Sequence, residues 1–301
     1  MNNMEKKNFI KGYALVILSA VLFGFMGLIN SYIDRDAVSR ETVVLLRNAL
    51  GLPVLAVMAW KQQKKLSVPI KALPGLALIA LLGCCATPLL LYKSYSFIQS
   101  GTATVFHFVY PAVVVILGLL FLRKKIQSAT LLAVGLCVIG ICLFFDPKAP
   151  LNTTGCVLAL SSGVTYAIYI LLLSHNKKSG VSGFLLSFCV SCMCSVMMLV
   201  YCLLTDTLTL PQTLQDWLLC LALALLINVG AVVMFQQGTF IVGSERAAVL
   251  STLEPVTGVV VGALFLGEFA GRGLSDIIMT VIGSALVVAA GILIAISDKK
   301  E

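Results

Sequence analysis

Charged residues are scarce in this chain. Asp, Glu, Lys and Arg make up only 11% of its 301 residues, whereas soluble domains carry about 25%. Hydrophobic residues make up 59%, which is more apolar surface than a soluble core of this size could bury. The composition therefore favours a protein embedded in a lipid bilayer.

Groups that carry enzyme chemistry are also few. The chain has only two histidines, His107 and His175, and no Gly-x-x-x-x-Gly-Lys-Ser/Thr phosphate-binding loop. We therefore expect neither an ATP-driven pump nor a membrane-embedded enzyme. No metal site and no cofactor are predicted.

The ten cysteines all lie inside apolar stretches, where a disulfide framework is not expected. Cys189, Cys192 and Cys194 have a spacing that suggests a metal or redox motif. No histidine or carboxylate stands near them on the same helix. We therefore interpret these cysteines as small hydrophobic packing residues.

The sequence contains many apolar stretches that are long enough to cross about 30 Å of hydrocarbon as helices. We identify ten, at residues 10–33, 40–60, 73–93, 102–122, 127–145, 153–174, 181–204, 215–237, 246–267 and 274–296. The stretches are continuously apolar and do not alternate as barrel strands do. The predicted fold class is therefore an all-α membrane protein with ten transmembrane helices.

An internal repeat relates the two halves. Residues 101–122 and 245–266 align without a gap when Pro111 is set on Pro255, and each stretch then ends in Leu-Phe-Leu. Because five crossings is an odd number, the second copy must enter the bilayer from the opposite side. We predict two inverted five-helix repeats, at 1–146 and 152–301, an architecture typical of alternating-access transporters.

Basic residues predict the orientation. With the N-terminus in the cytoplasm, fifteen of the 21 Lys and Arg residues fall inside and five outside, while Arg47 lies within a helix. This bias follows the positive-inside rule. We expect both termini in the cytoplasm, a location in the plasma membrane and contact with anionic lipid. Nucleic acid is not an expected partner, because the basic residues are spread along separate loops.

Two motifs resemble those of a known family. They read GTAT…HFVYP at 101–111 and STLEP…LFLGE at 251–268, and they are similar to those of EamA-type members of the drug/metabolite transporter superfamily. The resemblance implies a ten-helix fold with a central cavity lined by helices one to four and six to nine. It also implies export of small metabolites, amino acids or drugs, often without ATP hydrolysis.

The function expected is secondary transport by alternating access. We expect an exporter of a small metabolite or amino acid, with proton coupling as one form of it. A channel-like protein or a facilitative uniporter is the alternative, and a membrane-embedded enzyme is less favoured. The protein could be a monomer or a homodimer.

Two ionisable residues within predicted helices are candidates for the substrate or proton pathway. Glu254 lies about eight residues into the ninth helix, or about 12 Å deep, and such groups are functional candidates by default. Arg47 could pair with Glu254 or receive a substrate carboxylate. Helix packing of Glu254 and snorkelling of Arg47 to the surface are the structural alternatives.

The aligned prolines mark two polar patches. His107, Tyr110 and Pro111 form one patch, since residues three apart are neighbours on a helix. Ser251, Glu254 and Pro255 form its counterpart, and the patches are expected to face each other across the cavity. The prolines are candidate hinges because each removes a backbone donor. An interhelical hydrogen bond is the structural alternative for His107.

Four further residues are candidates for gating or binding. Tyr92 and Lys93 near the end of the third helix correspond to Gln236 and Gln237 in the second half. They are expected near opposite mouths of the pathway. Snorkelling is the alternative for Lys93. The aromatic rings of Tyr166 and Tyr169 could line a ligand site, although core packing is the simpler interpretation.

The charge bias leads to a topology prediction. A reporter enzyme that is active only outside the cell should be inactive when it is fused after Glu301, because the bias places this end in the cytoplasm. A cysteine introduced at Lys64 should likewise resist an impermeant thiol reagent added to intact cells. Activity of the fusion, or labelling at position 64, would contradict the predicted orientation.

Overall fold

The computed structural model describes residues 3–34, 37–64, 66–122, 127–144, 151–176, 181, 183–267 and 273–297. Within these ranges the regular elements are all helices, which confirms the all-α prediction. The predicted end of the first repeat at 146 lies outside the described residues. The connections at 123–126 and 268–272 lie outside them as well.

Ten helical segments follow one another along the described chain. They are α1 (Asn8–Ser31), α2 (Arg40–Gln63), α3 (Ile70–Ser94), α4 (Thr102–Phe121), α5 (Ser128–Cys142), α6 (Thr153–His175), α7 (Gly183–Leu204), α8 (Leu214–Val242), α9 (Ser244–Phe265) and α10 (Leu274–Ser297).

Nine of these segments are long and apolar enough to cross a membrane, within the part of the chain that the structure describes. The exception is α5, which has 15 residues and is therefore only about 22 Å long. We predicted a membrane-spanning helix over 127–145, and the described helix is shorter than this prediction. The ten-helix inverted repeat stays a prediction.

Several segments are built from shorter helices. The pieces are Asn3–Gly24 and Met26–Ser31 in α1, Arg40–Ala49 and Leu52–Gln63 in α2, Ser100–His107 and Tyr110–Leu122 in α4, and Ser244–Ser251 and Leu253–Phe265 in α9. The interruptions of α4 and α9 come just before the aligned prolines, Pro111 and Pro255. Proline explains both, because it lacks the N–H that would continue the hydrogen-bond ladder.

Wider π-helical turns occur at matching places in α3 and α8. They span Ala80–Ala86 and Leu223–Val232. Proline again contributes in α3, where Pro88 follows the wide turn. The Leu82 carbonyl accepts from the Thr87 backbone N–H and also from the Thr87 hydroxyl at 2.7 Å. Such turns are frequent at functional sites.

The helices pack in a reciprocal pattern. The first helix of each half packs against the third and fourth of the other half: α1 against α8 and α9, and α6 against α3 and α4. The second helices, α2 and α7, contact each other, as do the fifth helices, α5 and α10. Buried residues from both halves share one large core cluster. The halves therefore form a single packed body.

Glycines set the crossing of α5 and α10. A Cβ atom added to Gly140 would lie 2.7 Å from the carbonyl oxygen of Gly283, and one added to Gly283 would meet the Gly140 carbonyl. By contrast, a Cβ atom on Gly135 in the same helix would meet no heavy atom within 4 Å. Close backbone approach through small residues is a common mode of packing in membranes.

This contrast predicts the effect of two matched substitutions in α5. Gly140→Ala should lower the free energy of unfolding by about 1–3 kcal/mol, because the new methyl group overpacks the crossing. Gly135→Ala should leave stability unchanged or raise it by about 0.5–1 kcal/mol, since alanine favours helix. Unfolding of the purified protein in mixed micelles measures both. Equal effects of the two variants would contradict the described crossing.

Candidate functional site

The two interrupted helices, α4 and α9, meet in the middle of the bundle. The Tyr110 hydroxyl and the Ser251 hydroxyl are hydrogen-bonded at 2.6 Å. Tyr110 is almost fully buried, and Ser251 is buried beside it. The two polar patches are therefore in direct contact, with Pro111 and Pro255 each one turn or less away. This differs from the prediction that the patches face each other across the cavity, because neither Tyr110 nor Ser251 is among its described lining residues.

His107 contacts the second half through α6. Its Nδ1 atom is hydrogen-bonded to the Ser162 hydroxyl at 2.8 Å, and the ring packs against Tyr110 and Tyr166. This is the interhelical bond that the sequence allowed as the structural alternative. Pro111 provides no donor for the His107 carbonyl, four residues earlier. That carbonyl instead lies against Gly163, where an added Cβ atom would be 2.5 Å from it.

An aromatic stack continues from this contact through the bundle. The rings of Tyr110 and Tyr166 are edge-on with centroids 4.8 Å apart. Tyr166 then stacks on Tyr169 at 5.5 Å and on Phe235 at 6.0 Å. These rings pack against one another, which agrees with the interpretation of Tyr166 and Tyr169 as core residues.

Gln236 and Gln237 lie beyond the aromatic stack, at one end of the bundle. Gln236 is fully buried. It accepts a hydrogen bond from the Ser187 hydroxyl and donates to the Tyr169 hydroxyl at 3.3 Å. Gln237 packs against Gly183, where an added Cβ atom would be 2.8 Å away. Side-chain contacts therefore close the bundle at this end.

A cavity of about 550 Å³ occupies the opposite end. Its walls come from α1, α2 and the connection between them, from the end of α3, the α3–α4 connection and the start of α4, and from α9. α10 and Phe144 contribute one residue each. The two ends are far apart. Asp216, near the start of α8, accepts a hydrogen bond from the Asp34 backbone at the cavity end, and Gln236 lies twenty residues further along α8, or about 30 Å away.

The lining of this cavity differs from the expectation. We expected helices one to four and six to nine to contribute, but α6, α7 and α8 provide none of the described lining residues. Tyr166 and Tyr169 of α6 and Phe235 of α8 instead pack into the core cluster, and none of the three lines the cavity. The cavity is therefore a one-ended recess and not a passage through the bundle.

The polar lining is made largely of neutral groups. Among the described residues that line the cavity, Asn30, Ser31, Gln99, Ser100 and Thr104 are neutral and polar, and Arg40 is the only charged one. The Arg40 guanidinium donates to the Tyr92 carbonyl and lies 5.8 Å from the centre of the Tyr95 ring.

Sequence reasoning missed Arg40 as a site residue and counted it only as an outer-loop charge. Its spacing of seven residues from Arg47 is the signal that could have found it, because residues two turns apart share one face of a helix. Arg40 and Arg47 belong to the same helical piece, Arg40–Ala49.

Arg47 lies below the floor of the cavity. Its side chain is 8% exposed, and its Nη1 atom donates to the sulfur of Met26 at 3.5 Å. The Nε atom is buried without a hydrogen-bond partner. The Arg47 side chain therefore does not snorkel to the surface.

Glu254 is half-buried at the start of the second piece of α9. Arg47 lies near enough to Glu254 for their charges to interact, yet the described residues contain no direct ion pair between them. The Glu254 carboxyl group is also close enough to interact electrostatically with three tyrosines, which are Tyr95, Tyr110 and Tyr166. Arg47 and Glu254 therefore interact at longer range and do not form the direct ion pair that we considered.

Tyr92 and Lys93 lie at the rim of the cavity. The Tyr92 hydroxyl accepts from Asn30 at 3.5 Å and contacts the Met26 sulfur at 3.9 Å. The Lys93 ammonium group points away from the cavity and donates to the Tyr201 hydroxyl of α7 at 2.6 Å. Only Tyr92 of this pair lines the cavity.

Comparison with known proteins identifies the family. The model of the EamA-like transporter family matches this chain twice, at residues 10–146 and 153–296. The chain belongs to the EamA-like transporter family. It is therefore a multi-pass membrane protein, and the family points to a transporter rather than an enzyme.

Relatives of known sequence agree with this family membership. A protein of Archaeoglobus fulgidus, named an uncharacterized transporter, is 28% identical over 284 residues, which cover 94% of this chain and 96% of the relative. A Clostridium kluyveri protein with the same name is 21% identical over 302 residues, 96% of this chain and 94% of its own.

A solved structure shares the fold. A crystal structure at 15% sequence identity superposes with a TM-score of 0.72 and covers 96% of this chain and 98% of its own. At this identity the likeness concerns the fold alone. The EamA-like architecture is thus found in a protein whose side chains differ almost throughout.

The contact between α4 and α9 can be measured by a double-mutant cycle. Tyr110→Phe and Ser251→Ala each remove one partner of the 2.6 Å hydrogen bond. Their coupling energy in unfolding should be about 0.6 kcal/mol, with about 1.7 as the upper limit for such bonds in membranes.

A second cycle serves as the control. It combines Tyr110→Phe with Thr257→Val, because the Thr257 hydroxyl donates to the Leu253 carbonyl of its own helix at 3.1 Å. This cycle should give no coupling. A coupling for Tyr110 and Ser251 no larger than that of the control would contradict the described contact.

Proposed function

We propose that this chain is a secondary transporter that exports a small metabolite or amino acid across the plasma membrane by alternating access. The observation that carries the proposal is the cavity of about 550 Å³ at one end of the bundle, opposite an end closed by side-chain contacts around Gln236. A recess that reaches one side only is what one state of an alternating-access cycle requires.

In the predicted topology the cavity faces outward, because the α1–α2 and α3–α4 connections at its mouth are outer loops. Both termini are then cytoplasmic, at the closed end. Export would begin from the opposite state, in which the contacts among Gln236, Ser187 and Tyr169 are broken and those around the cavity are made.

The interrupted helices support a mechanism for this exchange. α4 and α9 are broken before Pro111 and Pro255, where a missing backbone hydrogen bond makes bending easier. They touch at Tyr110 and Ser251, so a bend in one is transmitted to the other. We propose the two prolines as the hinges of the cycle.

Glu254 is the proposed proton carrier. It is next to the hinge of α9, is half-buried, and has no direct ion pair among the described residues. A carboxyl group in such a place can gain and lose a proton as the cavity opens and closes. Intramembrane carboxyl groups commonly serve as proton relays in transporters.

The test begins with the solute. Metabolites of medium and cytosol should be compared between cells that overexpress this protein and cells that lack it, and the solute that moves to the medium is then studied in vesicles. Counterflow should be observed, since a carrier exchanges solute and a channel does not. No solute difference and no counterflow would overturn the proposal.

Glu254→Gln then tests proton coupling, because glutamine resembles the protonated carboxyl group. This variant should still exchange the solute but should fail to accumulate it against its gradient when a pH difference is imposed. Gly27→Leu should stop exchange and accumulation together, since Gly27 lines the cavity and open space surrounds its Cα.

Gly135→Leu is the matched control for Gly27→Leu. Gly135 is also free of neighbours within 4 Å but lies away from the cavity, so this variant should transport normally. Wild-type accumulation by Glu254→Gln would show that the residue is structural. Equal transport by the two leucine variants would show that the cavity is not on the pathway.

A further inference from the structure

One face of α2 leads from the cavity into the interior of the bundle. Arg40, Val43 and Arg47 are spaced at i, i+3 and i+7 and therefore share a face of the helical piece Arg40–Ala49. Arg40 and Val43 line the cavity. Arg47 comes next on the same face and lies about 10 Å from Arg40 along the helix axis.

Met26 separates Arg47 from the cavity. The Met26 side chain lines the cavity, and its sulfur accepts from Arg47 Nη1 at 3.5 Å. The Tyr92 hydroxyl contacts the same sulfur from the cavity side, at 3.9 Å. Met26 thus lies between the two groups, directly after the interruption of α1 at Phe25.

The cover over Arg47 is weak and adaptable. A thioether sulfur is a poor hydrogen-bond acceptor, and methionine has three rotatable bonds that let it repack easily. Arg47 meanwhile retains a buried Nε donor without a partner. Leaving a charged donor unpaired is costly, so an acceptor that entered from the cavity would be bound favourably.

The described lining of the cavity carries a positive charge and no negative one. Arg40 is the only charged residue in its described lining. Glu41 lines a smaller neighbouring pocket of about 160 Å³ at the rim, whose walls also include Arg40, Tyr92 and Lys93. Glu254 interacts with Arg47 over a longer range and is not part of the described lining.

We propose that the cavity binds a small organic anion that has a carboxylate head and an apolar body. Arg40 receives the carboxylate at the mouth, and Arg47 binds it at the floor once Met26 has moved aside. This inference rests on the proposed transport function and specifies its substrate class. Arginine suits the role because its planar guanidinium binds carboxylates through two parallel hydrogen bonds.

The apolar body has a surface of its own. Val259 and Val261 of α9 line the cavity together with Gly258 and Gly262. Tyr95 supplies an aromatic ring near Arg40. A cationic solute would meet Arg40 with no carboxylate in the described lining to compensate.

Four probes with the same apolar body test this class. They are 3-phenylpropionate, phenylalanine, 3-phenylpropanamide and 3-phenylpropylamine, which carry an anionic, a zwitterionic, a neutral and a cationic head. Each is titrated into the purified protein in a neutral detergent, to about 10 mM so that millimolar affinities are detected, and the thermal midpoint is followed. We expect the largest shift with 3-phenylpropionate.

Substitutions locate the site of this effect. Arg40→Gln and Arg47→Gln should each raise the Kd for 3-phenylpropionate about tenfold, the usual scale for one charge-assisted contact of about 1.4 kcal/mol. Arg47→Lys should restore binding only in part, because lysine lacks the planar fork. Lys61→Gln is the control, since Lys61 is exposed in the last turn of the same helix, and its Kd should match that of the wild type.

Met26→Ala tests the cover and serves if the arginine variants do not fold. Removing the thioether opens the way to Arg47, so the Kd for 3-phenylpropionate should fall several-fold. A binding-competent state that is populated only in part weakens apparent affinity by that fraction. An unchanged or higher Kd in Met26→Ala would contradict the assigned position of the cover.

Other results would overturn the proposal. These are no shift with 3-phenylpropionate, a larger shift with phenylalanine or the amine, or wild-type affinity in both glutamine variants. Stabilisation by phosphatidylglycerol but by no soluble carboxylate would assign the arginines to lipid headgroups. A protein that exports a neutral or cationic solute would keep the transport function and lose this inference, whereas anion binding without any transport would do the reverse.

Discussion

The structure depends on one constraint, which is that hydrocarbon offers no hydrogen-bond partners to a polypeptide backbone. Helices meet this constraint along most of the chain, and the exceptions in α4 and α9 come just before Pro111 and Pro255. At these points the two halves touch through the Tyr110–Ser251 hydrogen bond. The His107 carbonyl, which Pro111 cannot satisfy, is packed against Gly163. In α4 and α9, the halves thus meet where the helices lose backbone hydrogen bonds.

The same constraint applies to charge. A buried guanidinium needs an acceptor or water, and Arg47 has only the sulfur of Met26 and the distant field of Glu254. The protein therefore holds a guanidinium and a carboxyl group near each other without joining them. A direct ion pair would have satisfied both groups and made them inert toward a ligand. Their separation leaves each available, as the proposed anion site at Arg47 and the proposed proton site at Glu254 require.

Much of this arrangement could be predicted from the sequence, because it follows from local chemistry. Apolar length identified the helices, and the alignment of Pro111 with Pro255 predicted that the patches of Tyr110 and Ser251 face each other. It predicted a cavity between the patches and not the direct hydrogen bond that joins them. The length of α5 could not be predicted, since nothing in the apolar run marks the end of the described helix at Cys142. Arg40 was missed because a charge near a helix end is usually a matter of topology. Its place in the cavity depends on how α1, α3 and α9 pack around it. Such long-range packing cannot be predicted from a short stretch of sequence.

The halves are built alike in their third and fourth helices but not in their first two. α1 is interrupted at Phe25 and α2 at Leu50–Gly51, whereas their counterparts α6 and α7 are continuous over Thr153–Asn176 and Gly183–Leu204. The cavity lies beside the interrupted pair. The closed end, beside the continuous pair, is held by side-chain hydrogen bonds of Gln236 with Ser187 and Tyr169. In an alternating-access cycle one end would then open by bending helices and the other by exchanging side-chain partners. Because these two processes draw on different interactions, the two open states need not be equally stable, and that inequality would give such a transporter a preferred resting side.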